Sequence, residues 1–336
     1  MSDTTVGIIG YGYWGPNLVR NFAGAAGCRV KWVSDFSADR LAIAKKQFSF
    51  LSVTQDYLDL INDPEVDAIV IATPVFSHFK LGKEALNAGK HVLIEKPLTS
   101  SVADAEELKN LAEQKALLLM VDHTFLYTGA VQKIKNLVDT DEIGALQYLD
   151  SSRINLGLFQ PDINVLWDLA PHDISILSYI NSEIPVSVNA TGISHTHNGI
   201  ENVAYLTLNF QSNFIAHFNC SWSSPVKIRS MLIGGDKKMI VFNDLEPSEK
   251  VRVYDTGYEM KTVEEKHRIL VDYRVGDIYI PKVNPREALA GMAADFIGCI
   301  GTGNKPVSNI DLAIYVVKVL EAAQKSIKDN GREVKI

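Results

Sequence analysis

Val6-Gly7-Ile8-Ile9-Gly10-Tyr11-Gly12-Tyr13-Trp14-Gly15-Pro16-Asn17-Leu18-Val19 decides the fold. A short apolar run enters Gly10-x-Gly12-x-x-Gly15, and a segment of helical period follows, so the stretch predicts strand, tight turn and helix in that order. The three glycines have separate uses in such a turn: a sharp bend, close approach of backbone to a pyrophosphate, and close contact of helix with strand. The helix N-terminus then faces an anion. Gly10, Gly12 and Gly15, with Tyr13 and Trp14 inside the loop, are candidate dinucleotide contacts.

The same alternation continues. Apolar runs at 6–10, 29–34, 68–73, 91–95 and 117–121 are separated by helix-period segments at 15–26, 38–47, 76–88 and 102–114. Strand, helix, strand repeated this often predicts a parallel sheet covered on both faces, a doubly wound α/β domain over 1–122. Beyond residue 123 the period changes to two. Ala204, Leu206, Leu208 and Phe210 alternate with polar neighbours, as do Phe214, Ala216, Phe218, Cys220 and Trp222. Gly234-Gly235-Asp236 separates strand-like runs at 228–233 and 238–242 as a hairpin turn does. Helices are expected at 286–299 and 312–328. The fold class is therefore α/β, a Rossmann sheet followed by a domain over 123–336 built on a large, mostly antiparallel open sheet.

The 336 residues carry 33 Lys+Arg against 40 Asp+Glu, a net charge of −7, with 46% hydrophobic residues. The chain can bury a large core, and its acidity without a basic run argues against nucleic acid and anionic membranes as partners. No apolar stretch is long enough to span a bilayer and the start lacks the layout of a signal peptide, so a cytoplasmic protein is expected. Cys28, Cys220 and Cys299 are isolated, which speaks against a disulfide framework or structural zinc. His195, His197, His217 and His267 have no spacing that favours a metal site.

Asp35 follows Gly10 by 25 residues and ends a predicted strand. A carboxylate there accepts hydrogen bonds from ribose hydroxyls and repels a 2′-phosphate, favouring NAD over NADP. The alternative is a cap or turn aspartate, and Arg40 nearby could accommodate NADP. Thr73-Pro74 and His78 follow the next strand, open to cofactor contact or helix capping. Glu95-Lys96-Pro97 closes a strand at the end of a parallel sheet where ligands bind, and the Lys96 ammonium can hydrogen-bond a substrate hydroxyl there. Read by residue type alone, such a run is most often a surface strand terminus. Asp168 and His172, four apart, share one helix face, and Pro171 is expected to fall in the first turn of that helix. Without further context, a helix cap and a packed histidine are an equal alternative to a pair facing a cleft.

With Glu95-Lys96-Pro97 about 80 residues after the glycine loop, and Trp167-Asp168-Leu169-Ala170-Pro171-His172-Asp173 in the second half, the chain resembles the glucose–fructose oxidoreductase, inositol dehydrogenase and rhizopine-catabolism (Gfo/Idh/MocA) family over nearly its whole length. The resemblance implies an NAD(P)-dependent sugar dehydrogenase. It implies His172 as the base that takes the hydroxyl proton, Lys96 as the holder of the same oxygen, and Asp168 as the partner of a neighbouring hydroxyl or of His172. The runs Gly10–Asn17, Asp122-His123-Thr124-Phe125 and Ser152-Arg153-Ile154-Asn155-Leu156-Gly157 resemble a branch that oxidises C3 of a UDP-N-acetylhexosamine or its uronate. A free polyol such as myo-inositol is the alternative substrate; NAD-dependent glycosidases and non-catalytic NAD-binding regulators also occur among such relatives. Arg153 suits a diphosphate or a uronate carboxylate, or else an interdomain ion pair; Asn155, Gln160 and Asn164 suit hydroxyl or acetamido groups. His123 either lines the site or packs. The resemblance also implies a homodimer or homotetramer associating through the antiparallel sheet.

Overall fold

The computed structural model describes residues 3–157, 159–259 and 272–336, and elements are numbered over these. The chain groups into two compact units: the first holds residues 1–128 and 286–321, the second 129–285 and 322–336. The sequence puts a boundary at residue 122; the grouping runs the first stretch on to Thr128 and adds 286–321 to it.

In the first unit, β1 (Thr4–Ile9), β2 (Cys28–Ser34), β3 (Ser52–Thr54), β4 (Ala68–Ile71), β5 (His91–Glu95) and β6 (Leu119–Asp122) form one sheet in the order β3-β2-β1-β4-β5-β6. Every pairing in it is parallel. The order reverses at β1/β4, and the crevice beyond the carboxyl ends of the strands at such a reversal is where dinucleotides bind. Strand β4 and the inner stretches of β1, β5 and β6 are apolar and buried because helices cover both faces. Helix α1 (Gly15–Ala23) buries Leu18, Val19 and Phe22 on the sheet and stops at Gly24, short of the predicted residue 26. Helices α2 (Ala38–Gln47) and α5 (Val102–Gln114) match their predicted bounds, each opened by a serine: Ser37 and Ser101 accept from the backbone N–H groups of Arg40 and Asp104. The segment predicted over 76–88 is a 3-10 turn, Val75–Ser77, followed by α4 (His78–Asn87). Strand β3 and α3 (Leu58–Ile61) go unread in the sequence, being three and four residues long and without periodicity.

The second unit is built on a nine-stranded sheet. Strands β7 (Leu146–Leu156), β8 (Ser187–Ile193), β9 (Val203–Asn209), β10 (Ile215–Ser221), β11 (Ser223–Gly235), β12 (Met239–Asn243), β13 (Val251–Glu259), β14 (Asp272–Tyr279) and β15 (Val334–Lys335) run in the order β14-β13-β12-β11-β7-β10-β9-β8-β15. The pairings are antiparallel except β7 with β10. The period of two is realised as a buried face: Ala204, Leu206, Leu208, Ala216, Phe218, Met231, Ile233, Ile240 and Phe242 are at most 2% exposed. Helix α6 (Gly129–Asp139) packs against α7 (Val165–Ile180), which lies on β7, β9 and β10. Two further helices follow, α8 (Ala288–Thr302) and α9 (Ile310–Lys328). No helix among the described residues is long and apolar enough to cross a membrane.

Candidate active site

The glycine loop fits a dinucleotide phosphate. Gly10 has φ +102°, and a Cβ there would overlap the carbonyl oxygen of Ala72 on the neighbouring strand's end. A Cβ on Gly15 would stand 2.8 Å from the Gly10 carbonyl oxygen, so the helix meets the strand only as glycine. At Gly12 the nearest atom to such a Cβ is Nη1 of Arg40, 3.9 Å away, so the middle of the loop is open to a ligand. Helix α1 has no side-chain cap and no acid in its first turn, leaving the positive end of its dipole for an anion. Tyr13 is 84% exposed, and its ring meets Trp14 edge to face at 5.1 Å.

Asp35 serves the loop first. Its carboxylate accepts from the backbone N–H of Tyr11 and of Ser37, both at 2.8 Å, and Arg40 Nη1 lies 3.5 Å away. The turn role weighed for this aspartate is thus present, while the helix cap itself is Ser37. His78 also departs from the roles weighed for it, cofactor contact or cap. It is 1% exposed, and its ring nitrogens lie 2.9 Å from the Pro97 carbonyl oxygen and 2.7 Å from that of Thr73. The ring ties the segment after β4 to the segment after β5 and is withdrawn from the crevice; burial pushes its pKa down. Thr73 Oγ1 shares a hydrogen bond with Ser77 Oγ, fixing the Thr73-Pro74 turn.

Glu95 is likewise buried, at 8% exposure. It lies opposite Asp122 in the β5/β6 register, so two carboxyl groups share a dry site at the rim of the sheet. Burial, then the charge of Asp122, drives Glu95 well above the usual carboxylate range; burial raises Asp122 to about 6. The pair therefore retains a proton near neutrality. Lys96 and Pro97, joined by a cis peptide bond, follow directly. On the other strand His123 follows Asp122. It is 1% exposed, and burial, then the Lys96 charge, pulls its pKa down to about 3. Neither of its ring nitrogens has a hydrogen-bond partner among the described residues. Sequence reading missed Asp122 as a site residue. The signal was two apolar strands, neighbours in the sheet, each ending in an acid.

In the second unit, Asn164 caps α7: its Oδ1 accepts from the N–H groups of Leu166 and Trp167, while its Nδ2 donates to Glu201 and Gln324. With every donor and acceptor engaged at 5% exposure, it is a structural residue in place of the expected substrate contact. Asp168 is in the first turn and accepts from Trp222 Nε1 at 3.0 Å, a partner the sequence did not indicate. Pro171 is well inside the helix, which corrects its expected place in the first turn. Asn164 starts the helix early, and buried Ile174, Ile176, Leu177 and Ile180 offset the roughly 3 kcal/mol an interior proline costs. Asp168 and His172 remain one turn apart. Arg153 is corrected too. Its Nε and Nη2 donate to Asp173 at 2.6–3.1 Å with both side chains 4% exposed, and Ser151 Oγ donates to the same carboxylate. Of the roles weighed for it, diphosphate or carboxylate contact and interdomain ion pair, it takes an ion pair, buried within this unit and not between domains. Asn155 and Gln160 are half-buried.

His195 contacts Asn202, and His217 stacks on Tyr205; His267 lies outside the described residues. Among the described residues no cluster of His, Cys, Asp or Glu could hold a metal ion.

Comparison with known proteins agrees with this geometry. The family description "Oxidoreductase family, NAD-binding Rossmann fold" matches residues 4–123, and "GFO/IDH/MocA C-terminal domain" matches 131–241. A UDP-N-acetylglucosamine 3-dehydrogenase of Acidithiobacillus ferrooxidans is 32% identical over 62% of this chain and 64% of its own. An inositol 2-dehydrogenase of Mycolicibacterium vanbaalenii is 29% identical over 56% of each chain. The solved structure of UDP-N-acetylglucosamine 3-dehydrogenase GnnA from A. ferrooxidans superposes with a TM-score of 0.80 at 23% identity, covering 98% of this chain and 99% of that one. The reversal of strand order behind an open glycine loop, and the matches to both halves, place the chain in the Gfo/Idh/MocA family of NAD-binding oxidoreductases.

Proposed function

We propose that the protein oxidises a secondary hydroxyl, at C3, of a UDP-N-acetylhexosamine such as UDP-N-acetylglucosamine or its uronate, with NAD as the electron acceptor. The observation that carries the substrate is the 32% identity to a UDP-N-acetylglucosamine 3-dehydrogenase, in a chain that holds Lys96, Asp168 and His172. Bound NAD supplies the two-electron acceptor. Lys96 donates a hydrogen bond to the reacting oxygen, and His172 takes the hydroxyl proton as the ketone forms. Asp168, held by Trp222, orients His172 or a neighbouring hydroxyl. The Asp35 carboxylate supports NAD over NADP, with the adenosine ribose on Asp35, and the Thr73-Pro74 turn lies where a cofactor contact is expected. The domain that follows residue 122 takes the sugar.

Mixing enzyme and NAD with UDP-N-acetylglucosamine, its uronate or myo-inositol, at concentrations that reveal one turnover, tests the reading through reduced-nicotinamide absorbance. Reduction with a UDP sugar is expected; reduction with inositol alone overturns the nucleotide-sugar assignment. The polyol reading has one observation in its favour: Arg153, the residue expected to meet a diphosphate, is buried on Asp173. Calorimetry with UDP alone separates the two. We further infer a homodimer or homotetramer formed through the outer face of the second unit's sheet, where Ile193, Tyr205, Ile215 and Leu232 are 43–55% exposed. Light scattering showing a monomer at micromolar concentration removes that inference.

A further inference from the structure

Among the described buried polar groups of the first unit, Glu84 and Asp122 each leave one carboxylate oxygen without a hydrogen-bond partner, but His123 leaves both of its ring nitrogens so. The other fully buried histidine there, His78, has both ring nitrogens against carbonyl oxygens. The His123 backbone is also satisfied: its N–H donates to the Val121 carbonyl and its own carbonyl accepts from Leu126. Only the imidazole, 1% exposed, has no partner on either nitrogen among the described residues. Native proteins rarely bury a polar group this way, because the group loses its water without recompense.

Its position gives the reason. Glu95 and Asp122 are register partners in β5 and β6, so the residues after them, Lys96 and His123, leave the sheet side by side at its carboxyl rim. The Lys96 charge acts on the His123 ring. Two cations this close in a dry site repel, so the imidazole is neutral and offers one N–H and one lone pair. A phosphate or carboxylate accepts only and answers half of that offer. A hydroxyl or a primary carboxamide both donates and accepts.

We propose that His123 is a ligand-contacting residue that hydrogen-bonds a neutral donor–acceptor group beside Lys96, either a sugar hydroxyl next to the reacting carbon or the carboxamide of the nicotinamide. The proposal rests on the reading that Lys96 meets the reacting hydroxyl.

Three readouts on the full-length protein test it, with His123→Leu as the apolar variant, His123→Phe as a second one should leucine fold poorly, and His123→Gln as the conservative one. The ligand-free apolar variant is expected to melt at a higher temperature than the wild type, since an unsatisfied buried group is gone. The same variant is expected to lose about tenfold or more in one ligand constant, the worth of a hydrogen bond. A lower kcat/KM for the sugar that the wild type oxidises, with NAD affinity by calorimetry unchanged, assigns the hydroxyl. A weaker NAD complex assigns the carboxamide. His123→Gln is expected to recover part of either loss. Both constants within twofold of wild type overturn the proposal, whatever the melting temperature does, and make His123 a packing residue. If the wild type oxidises none of UDP-N-acetylglucosamine, its uronate and myo-inositol, the proposed function fails by itself, and with it the hydroxyl contact that rests on it; a weaker NAD complex in the variant then still assigns the carboxamide, and unchanged NAD affinity overturns that contact too.

Discussion

The ionisable residues at the rim of the parallel sheet are set by burial more than by one another, and this makes their behaviour predictable. Lys96→Ala and His172→Ala are each expected to lower kcat by about 10² to 10⁴, the usual share of a positioned acid–base group, measured as NADH formation with whichever sugar the wild type oxidises. Full turnover in either removes the mechanism. The acid pair yields a prediction about pH. Asp122 titrates at about 6 in the folded protein, above its value in an open chain, so the folded state binds the extra proton. The stabilisation from this group is therefore complete below about pH 4, the unfolded range, and is lost as pH rises through about 6. Urea unfolding at pH 4.5 and 7.5 is expected to show a smaller loss of stability with rising pH in Asp122→Asn than in the wild type; parallel profiles would contradict the burial argument. Arg153 shows where residue-level reading reaches its limit. An arginine in a polar run suggests a ligand, and only the fold reveals that Asp173 comes from a helix packed on the same strand. Removing one member of such a pair leaves a buried charge, so Asp173→Asn is expected to cost about 3–5 kcal/mol in chemical denaturation.

Elements were legible where local chemistry and burial agree. Helices α2 and α5 each have a serine cap and an apolar stripe, and β5 is an uninterrupted apolar run ending at Glu95; sequence and structure give these the same bounds. Strand β7 failed for the opposite reason. Its inward residues are Leu149, Ser151 and Arg153, so the apolar alternation that marks a half-buried strand is missing. What permits those polar side chains inside is the Asp173 carboxylate on α7, a contact between distant parts of the chain. The same helix explains the misplaced proline. The proline between Asp168 and His172 suggests a helix start beside them; Asp168 does lie in the first turn, but Asn164 fixes the start upstream and leaves Pro171 inside the helix. Asn164→Ala removes the two cap bonds and leaves Glu201 and Gln324 without the amide that joins them. A loss of about 2 kcal/mol is expected in chemical unfolding. A change within 0.5 kcal/mol would mean that packing alone fixes the start of the helix.

At the scale of the whole chain, the first unit draws on residues far apart in sequence, which composition and period cannot reveal. An apolar helix near residue 290 is readable; which sheet it covers is not. In the folded chain Met292, Ala293 and Phe296 of α8 are fully buried in one cluster with Val6, Leu18, Val19 and Phe22, and Phe296 meets Phe22 edge to face at 6.0 Å. Polar contacts tie the same segment down: Glu287 accepts from Arg20 and Asn21, Asp295 accepts from Tyr127 and from the Val307 N–H, and Ser308 donates to the Val121 carbonyl. A fragment of residues 1–128 alone would uncover the side of this cluster that α8 closes, Phe22 included. Exposing even two such side chains forfeits about 3–6 kcal/mol, comparable to the whole stability of a small domain. The two ends to be rejoined are close, since a Cβ on Gly291 would lie 3.3 Å from Tyr127 Cβ. Residues 1–128 joined by a short Gly/Ser linker to 286–321 are therefore expected to melt cooperatively and bind NAD, whereas residues 1–128 alone are expected to show neither a sharp melt nor measurable affinity by calorimetry. Equal cooperativity and equal NAD affinity in the two proteins would show that the glycine loop and its sheet hold their shape without the helix that covers α1.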